Sequence, residues 1–155
     1  MRVLFVCHGN TCRSPMAEVI LADLASREPG LEHLRVESAG LDAGDGERAS
    51  KGAVQAMVAR RLDLGGHESR RLGPDVLAGV DLVLAMTTAY RKAVEKKFRG
   101  LEARVFTLGE YAGAAGANVD VSDPIGGSAD VYRACAARIE DLLRRALPRL
   151  VEEAR

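Results

Sequence analysis

Four short runs that read as strands recur along this chain, the first and third of them apolar, and each is followed by a segment that reads as helix. The runs are Arg2-Val3-Leu4-Phe5-Val6, Leu34 to Ser38, Asp81-Leu82-Val83-Leu84-Ala85 and Arg104-Val105-Phe106-Thr107. An apolar run with no polar alternation predicts a strand buried on both faces, the environment of a parallel sheet. Parallel neighbours need a crossover, and helices supply it. The pattern predicts an α/β fold: a single-domain three-layer sandwich, its central four-stranded parallel sheet flanked by helices. The chain's 155 residues suffice for one domain over 1–155, with no internal repeat or linker to divide it.

Between the strands the helix signals are local. Ser14-Pro15 predicts a helix start, with Ser14 as cap and Pro15 at the first helical position. Ala17, Ile20, Leu21 and Leu24 then give one apolar face up to about Arg27. A second helix is expected from Glu47 to Leu64, stopped by Gly65-Gly66. A short one is expected over Pro74 to Leu77, and a basic one from Thr88 to Phe98. From Gly109 to Gly127 no period is visible, and a loop that long in a compact domain is usually functional or disordered. Ser128 opens a final helix with Val131, Cys135, Ile139, Leu142, Leu143 and Leu150 on one face, and Pro148 should kink or end it.

Acidic and basic residues balance at 22 each, so nothing favours nucleic acid or an acidic membrane surface as partner. No apolar run approaches the roughly 20 residues of a membrane span, and Met1 to Cys7 is too short for a signal segment. The expectation is a cytoplasmic protein. Three cysteines do not make a disulfide framework, so reduced thiols are available for chemistry.

In open parallel sheets ligands bind outside the C-terminal strand ends, and the first strand ends at Cys7. The segment Cys7-His8-Gly9-Asn10-Thr11-Cys12-Arg13-Ser14 lies between that strand and a helix start. A tight loop there turns successive N–H groups inward as a nest for a tetrahedral anion, and the helix dipole adds to it. Gly9 and Asn10 tolerate the positive φ such a loop demands. The donors that hold a phosphate also stabilise a thiolate at Cys7, and Ser14 can add a hydrogen bond to the sulfur. Arg13 offers a planar fork for two phosphate oxygens. Cys7 is then a nucleophile for in-line attack on phosphorus. One carboxyl group can protonate the leaving group and later activate water. Asp123, stiffened by Pro124, is the candidate, with Asp120 three residues away as the alternative.

Cys-x5-Arg-Ser directly after an apolar N-terminal strand, with Asp-Pro late in the chain, resembles the low-molecular-weight protein tyrosine phosphatase family. The resemblance also takes in Ser38-Ala39-Gly40, His67-x-Ser69-Arg70 and Asp81 to Met86, and so covers nearly the whole chain. It implies catalytic roles for Cys7, Arg13 and Asp123. It implies substrate contacts from the loop residues His8, Gly9, Asn10, Thr11, Cys12 and Ser14. It further implies that Asn10, Ser14, Ser38 and His67 form a network holding the loop, and that Cys12 can pair with an oxidised Cys7. No metal or other cofactor is expected.

Two departures bear on the substrate. Thr11 stands where tyrosine-specific members carry an apolar residue, and Asp123-Pro124 is followed by Ile125-Gly126-Gly127-Ser128, without the tyrosines that wall in a phenyl ring. Gly9 to Glu18 together with Asp-Pro-x-Gly-Gly-Ser looks like the family's bacterial protein arginine phosphatase branch. The expected partners are phosphorylated proteins, with phosphoarginine preferred and phosphotyrosine as the alternative. Ile125 is then a substrate contact. Arsenate reductase uses the same loop, but a thioredoxin-coupled relay needs further cysteines, and outside the loop only Cys135 exists. A redox- or metal-sensing module on Cys7, His8 and Cys12 lacks the usual Cys-x2-Cys spacing. Tyr90 and Tyr132 read as half-buried packing residues. The sequence is silent on oligomeric state.

Overall fold

The computed structural model describes residues 1–155. Strands β1 (Arg2–Cys7), β2 (Arg35–Gly40), β3 (Leu82–Ala85) and β4 (Arg104–Thr107) form one sheet in the order β2-β1-β3-β4, every pair parallel. Helices α1 (Arg13–Ala25), α2 (Lys51–Val58), α3 (Pro74–Leu77), α4 (Thr88–Lys97), α5 (Leu108–Tyr111) and α6 (Ala129–Ala154) connect and cover it. The chain moves from β1 outward to β2, then returns past β1 to β3 and on to β4. Right-handed crossovers in opposite directions put α1 and α4 on opposite faces. Side chains of β1 alternate between the two cores that result. Val3, Phe5 and Cys7 join the larger, under α1 and α6, while Leu4 and Val6 join the smaller, with Val83 and Val94. The reversal of strand order beside β1 opens a crevice at its C-terminal end, where the Cys7 loop lies. No helix is long and apolar enough to cross a membrane.

Four local expectations are corrected. Helix α1 begins at Arg13 with Cys12 at the cap position, so Ser14 does not cap and lies inside the first turn. Helix α2 is shorter than its apolar spacing implied. Ser50 caps it by accepting from the Ala53 N–H, and it closes well before Gly65. The stop is a Schellman-type end: Arg61 N–H donates to the Val58 carbonyl and Leu62 N–H to that of Met57, with Arg61 at φ 60°. The stretch after Gly109 is not all loop. Helix α5 is set by a capping box between Thr107 and Glu110, and a 3₁₀ turn spans Gly116–Val119. Helix α6 runs through Pro148 to Ala154.

Candidate active site

Cys7 is the last residue of β1, and its carbonyl accepts from Leu41 N–H at 3.0 Å. From His8 to Ser14 no backbone N–H donates to a protein acceptor; the next donor is Met16, to the Cys12 carbonyl at 3.2 Å. Free N–H donors between a strand end and the start of α1 are the groups from which an anion nest is built. Cys7 Sγ lies 2.8 Å from Ser14 Oγ. This contact explains why Ser14 is drawn into the helix instead of capping it.

The loop's shape is fixed by Asn10, which has no solvent exposure and φ 56°. Gly9 does not share the positive φ expected of it. The Asn10 amide donates to Ser14 Oγ and Ser38 Oγ, both at 2.9 Å, and its Oδ1 accepts from Arg70 N–H at 3.0 Å. His67 Nε2 lies 2.7 Å from the Asn10 carbonyl oxygen. Ser38 donates in turn to Glu18, and Arg70 Nε to the Ser38 carbonyl at 3.0 Å. Gly40 stands where the loop passes closest to β2. A Cβ there would lie 2.6 Å from the His8 carbonyl oxygen and 2.9 Å from Asn10 N. The Ser38–Glu18 contact was not readable from the sequence, because it joins segments 20 residues apart.

Arg13 is 3% exposed. Its Nη1 donates to the Val121 carbonyl and its Nη2 to the Tyr90 hydroxyl, both at 2.9 Å. Asp123 Oδ2 lies 3.4 Å from the same Nη2. Asp123 Oδ1 accepts from Ile125 N–H at 3.0 Å, an Asx turn that orients the carboxylate. Asp120 is turned elsewhere: its Oδ1 accepts from Thr88 N–H and Oγ1, at 2.8 and 3.0 Å, tying the loop to the start of α4. The two aspartates thus face different partners, Asp123 the Arg13 guanidinium and Asp120 the start of α4.

Thr11 anchors the loop by its carbonyl, which accepts from Ser50 N–H at 2.9 Å. Cys12 is buried, its sulfur 3.1 Å from Ser50 Oγ and 3.6 Å from the Tyr132 hydroxyl. Tyr132 reaches it across Gly52, where a Cβ would come within 2.4 Å of the ring. Burial raises the Tyr132 hydroxyl's pKa. Cys135 is a core residue, as its place on the apolar face implied, and burial pushes its thiol up to about 12. Ile125 is 66% exposed at the rim. His8 is exposed, its ring stacked near Tyr90 with centroids 6.3 Å apart. Tyr90 and Tyr132 pack in or against the larger core, as read from sequence, and they also touch Arg13 and Cys12. No group of three or more His, Cys, Asp or Glu side chains is arranged to hold a metal.

A parallel α/β sheet whose first strand ends in a cysteine, followed by a loop of free N–H donors and by an arginine paired with Asp123, is the arrangement of a cysteine-dependent phosphatase. The chain belongs to the low molecular weight phosphotyrosine protein phosphatase family, whose model matches residues 2–155. It is 40% identical to the protein-arginine-phosphatase of Bacillus subtilis (strain 168), over 100% of both chains. It is 35% identical to the low molecular weight protein-tyrosine-phosphatase PtpB of Staphylococcus epidermidis, over 92% of this chain and 94% of that one. Among solved structures it is similar to a mutant of the YwlE arginine phosphatase with a phosphorylated active-site serine. The TM-score is 0.89 at 39% identity, covering 97% of this chain and 95% of that one.

Proposed function

We propose that this chain removes phosphoryl groups from phosphoarginine side chains of protein substrates through a phosphocysteine intermediate. The observation that carries the reading is the run of unpartnered N–H groups around Cys7 Sγ, with Arg13 and Asp123 3.4 Å apart beside it. In the first step the Cys7 thiolate attacks phosphorus in line. An S–P bond forms as the P–N bond breaks. Asp123 enters as the neutral acid and gives its proton to the departing guanidino nitrogen. In the second step the Asp123 carboxylate takes a proton from water, whose oxygen attacks phosphorus. The S–P bond breaks, and inorganic phosphate leaves with the thiolate restored. The nest N–H groups and Arg13 hold the equatorial oxygens in both steps. Ser14 steadies the sulfur, and Asn10, Ser38 and His67 hold the loop.

The substrate class follows from the rim. A guanidino group is planar and polar, and needs a hydrogen-bonding carboxyl group beside it more than a stacking ring. Asp123 is 43% exposed on its side chain and offers that carboxyl group. Thr11 offers a hydroxyl, Ile125 an exposed apolar side chain, and residues 124–128 contain no aromatic. The name of the full-length Bacillus relative supports the reading. Phosphotyrosine is the second reading. Tyr90 with His8 presents an aromatic surface near Arg13 that a phenol could use, and a relative at 35% identity is named for tyrosine.

The test compares kcat/KM for a phosphoarginine peptide and a matched phosphotyrosine peptide under reducing conditions, with a clear excess expected for phosphoarginine. The reverse order overturns the substrate assignment and leaves the chemistry standing. Cys7→Ser should abolish turnover in a folded protein. Asp123→Asn should slow the reaction about 100-fold or more, most with poor leaving groups.

A further inference from the structure

The geometry points to Tyr90 as a positioning residue that fixes the rotation of the Arg13 guanidinium before an anion arrives. The inference rests on Arg13 as the phosphate holder in the proposed function, and it deepens that role. A guanidinium carries five N–H donors in one plane, and an anion is gripped well only when that plane is correctly turned. Val121 takes one donor from Nη1 and Tyr90 takes one from Nη2. These two contacts, on different nitrogens, stop rotation about the last side-chain bonds. They leave unspent the Nε–H and a second N–H on Nη1, while Nη2 also faces Asp123 at 3.4 Å. The Tyr90 ring also lies 5.1 Å from the Arg13 guanidinium carbon, close enough for cation–π attraction.

Tyr90 suits this task because it is itself held. It lies in the first turn of α4, and its N–H donates to the Thr87 cap at 3.2 Å. Asp120 ties the same turn to the loop that carries Val121 and Asp123. The Val121 N–H donates to the Met86 carbonyl, just past β3, at 2.8 Å. All three groups that touch the Arg13 tip therefore sit on one stapled unit between β3 and α6. A guanidinium oriented beforehand loses less freedom when it grips phosphate. Nothing in the neighbourhood of Tyr90 along the chain marks it, since its partner lies 77 residues away.

Tyr90→Phe removes only the hydroxyl and keeps the ring. Inorganic phosphate affinity, read by calorimetry or phosphorus NMR titration, should fall about three- to tenfold in this variant. In an Arg13→Lys background the same change should cost less than about twofold, because lysine is a point charge with no plane to orient. KM should rise by a larger factor than kcat falls. An unchanged phosphate Kd in Tyr90→Phe overturns the inference, and so does an equal loss in both backgrounds. Inorganic phosphate as probe keeps the result independent of phosphoarginine preference. If Arg13→Lys alone binds phosphate like the wild type, the site reading fails as well.

Discussion

Replacing Asn10 removes three hydrogen bonds from a side chain with no solvent exposure: those to Ser14 Oγ, Ser38 Oγ and Arg70 N–H. Each lost bond leaves a buried partner without its mate, at about 1 kcal/mol apiece, so Asn10→Gly should lose about 3 kcal/mol. Alanine adds a second effect. At φ 56° its Cβ crowds the following carbonyl, which glycine avoids. After allowing for glycine's greater freedom in the unfolded chain, Asn10→Ala should lie about 0.5–1 kcal/mol below Asn10→Gly. With a urea slope of about 2 kcal/mol/M, the midpoints should fall by about 1.5 M for glycine and about 2 M for alanine. Both variants should still fold, because a domain of this size holds about 5–15 kcal/mol. Equilibrium urea unfolding measures both values. A loss under about 1 kcal/mol in both variants would refute the network as the loop's support. A glycine variant less stable than the alanine one would refute the backbone argument.

Gly52→Ala should force the Tyr132 ring off Cys12 at a cost of about 1–3 kcal/mol, and faster labelling of the Cys12 thiol in the folded protein would report the displacement. Glu153 accepts from Arg104 and Tyr111 at 2.7 Å each and from Arg149 at 2.8 Å. These partners, Arg104 first, hold its carboxyl down to about 2 from an ordinary value near 4.5. A lowered folded pKa stabilises above the unfolded value, so this contribution should be lost as pH falls from about 4.5 toward 2, and Glu153→Gln should flatten that part of a stability–pH profile. Thr11→Ile should move relative kcat/KM toward aryl phosphates; an unchanged ratio would remove Thr11 as a specificity residue.

The sheet was legible because β1 and β3 are written as apolar runs, and β4 coincides with its run at Arg104–Thr107. Errors gathered where a long-range contact overrode a local signal. Ser14-Pro15 has the local form of a cap, but the Cys7 sulfur takes the Ser14 hydroxyl, so the helix starts one residue earlier. The end of α2 was hidden because an arginine, Arg61, occupies the left-handed position where glycine is the usual sign. Pro148 did not stop α6, whose apolar face continues to Leu150 in the core. At the site, the Cys7–Ser14 contact was legible from the short loop between them. The contacts of Tyr90 with Arg13 and of Tyr132 with Cys12 were not, because those partners lie 77 and 120 residues away.

The staple formed by Asp120 and the Val121 backbone has an evolutionary consequence. It fastens the loop to β3, α4 and Arg13 before the chain reaches Pro124. Beyond it, Ile125, Gly126 and Gly127 are exposed and bear no share of the anion nest. Mutation can therefore sample new side chains at Ile125, whose backbone N–H alone supports Asp123, while Gly126 at φ 75° and Gly127, where a Cβ would lie 2.8 Å from the Pro124 carbonyl oxygen, hold the turn. Such a lineage can change the kind of phosphorylated side chain it accepts by small steps while every intermediate remains a working catalyst.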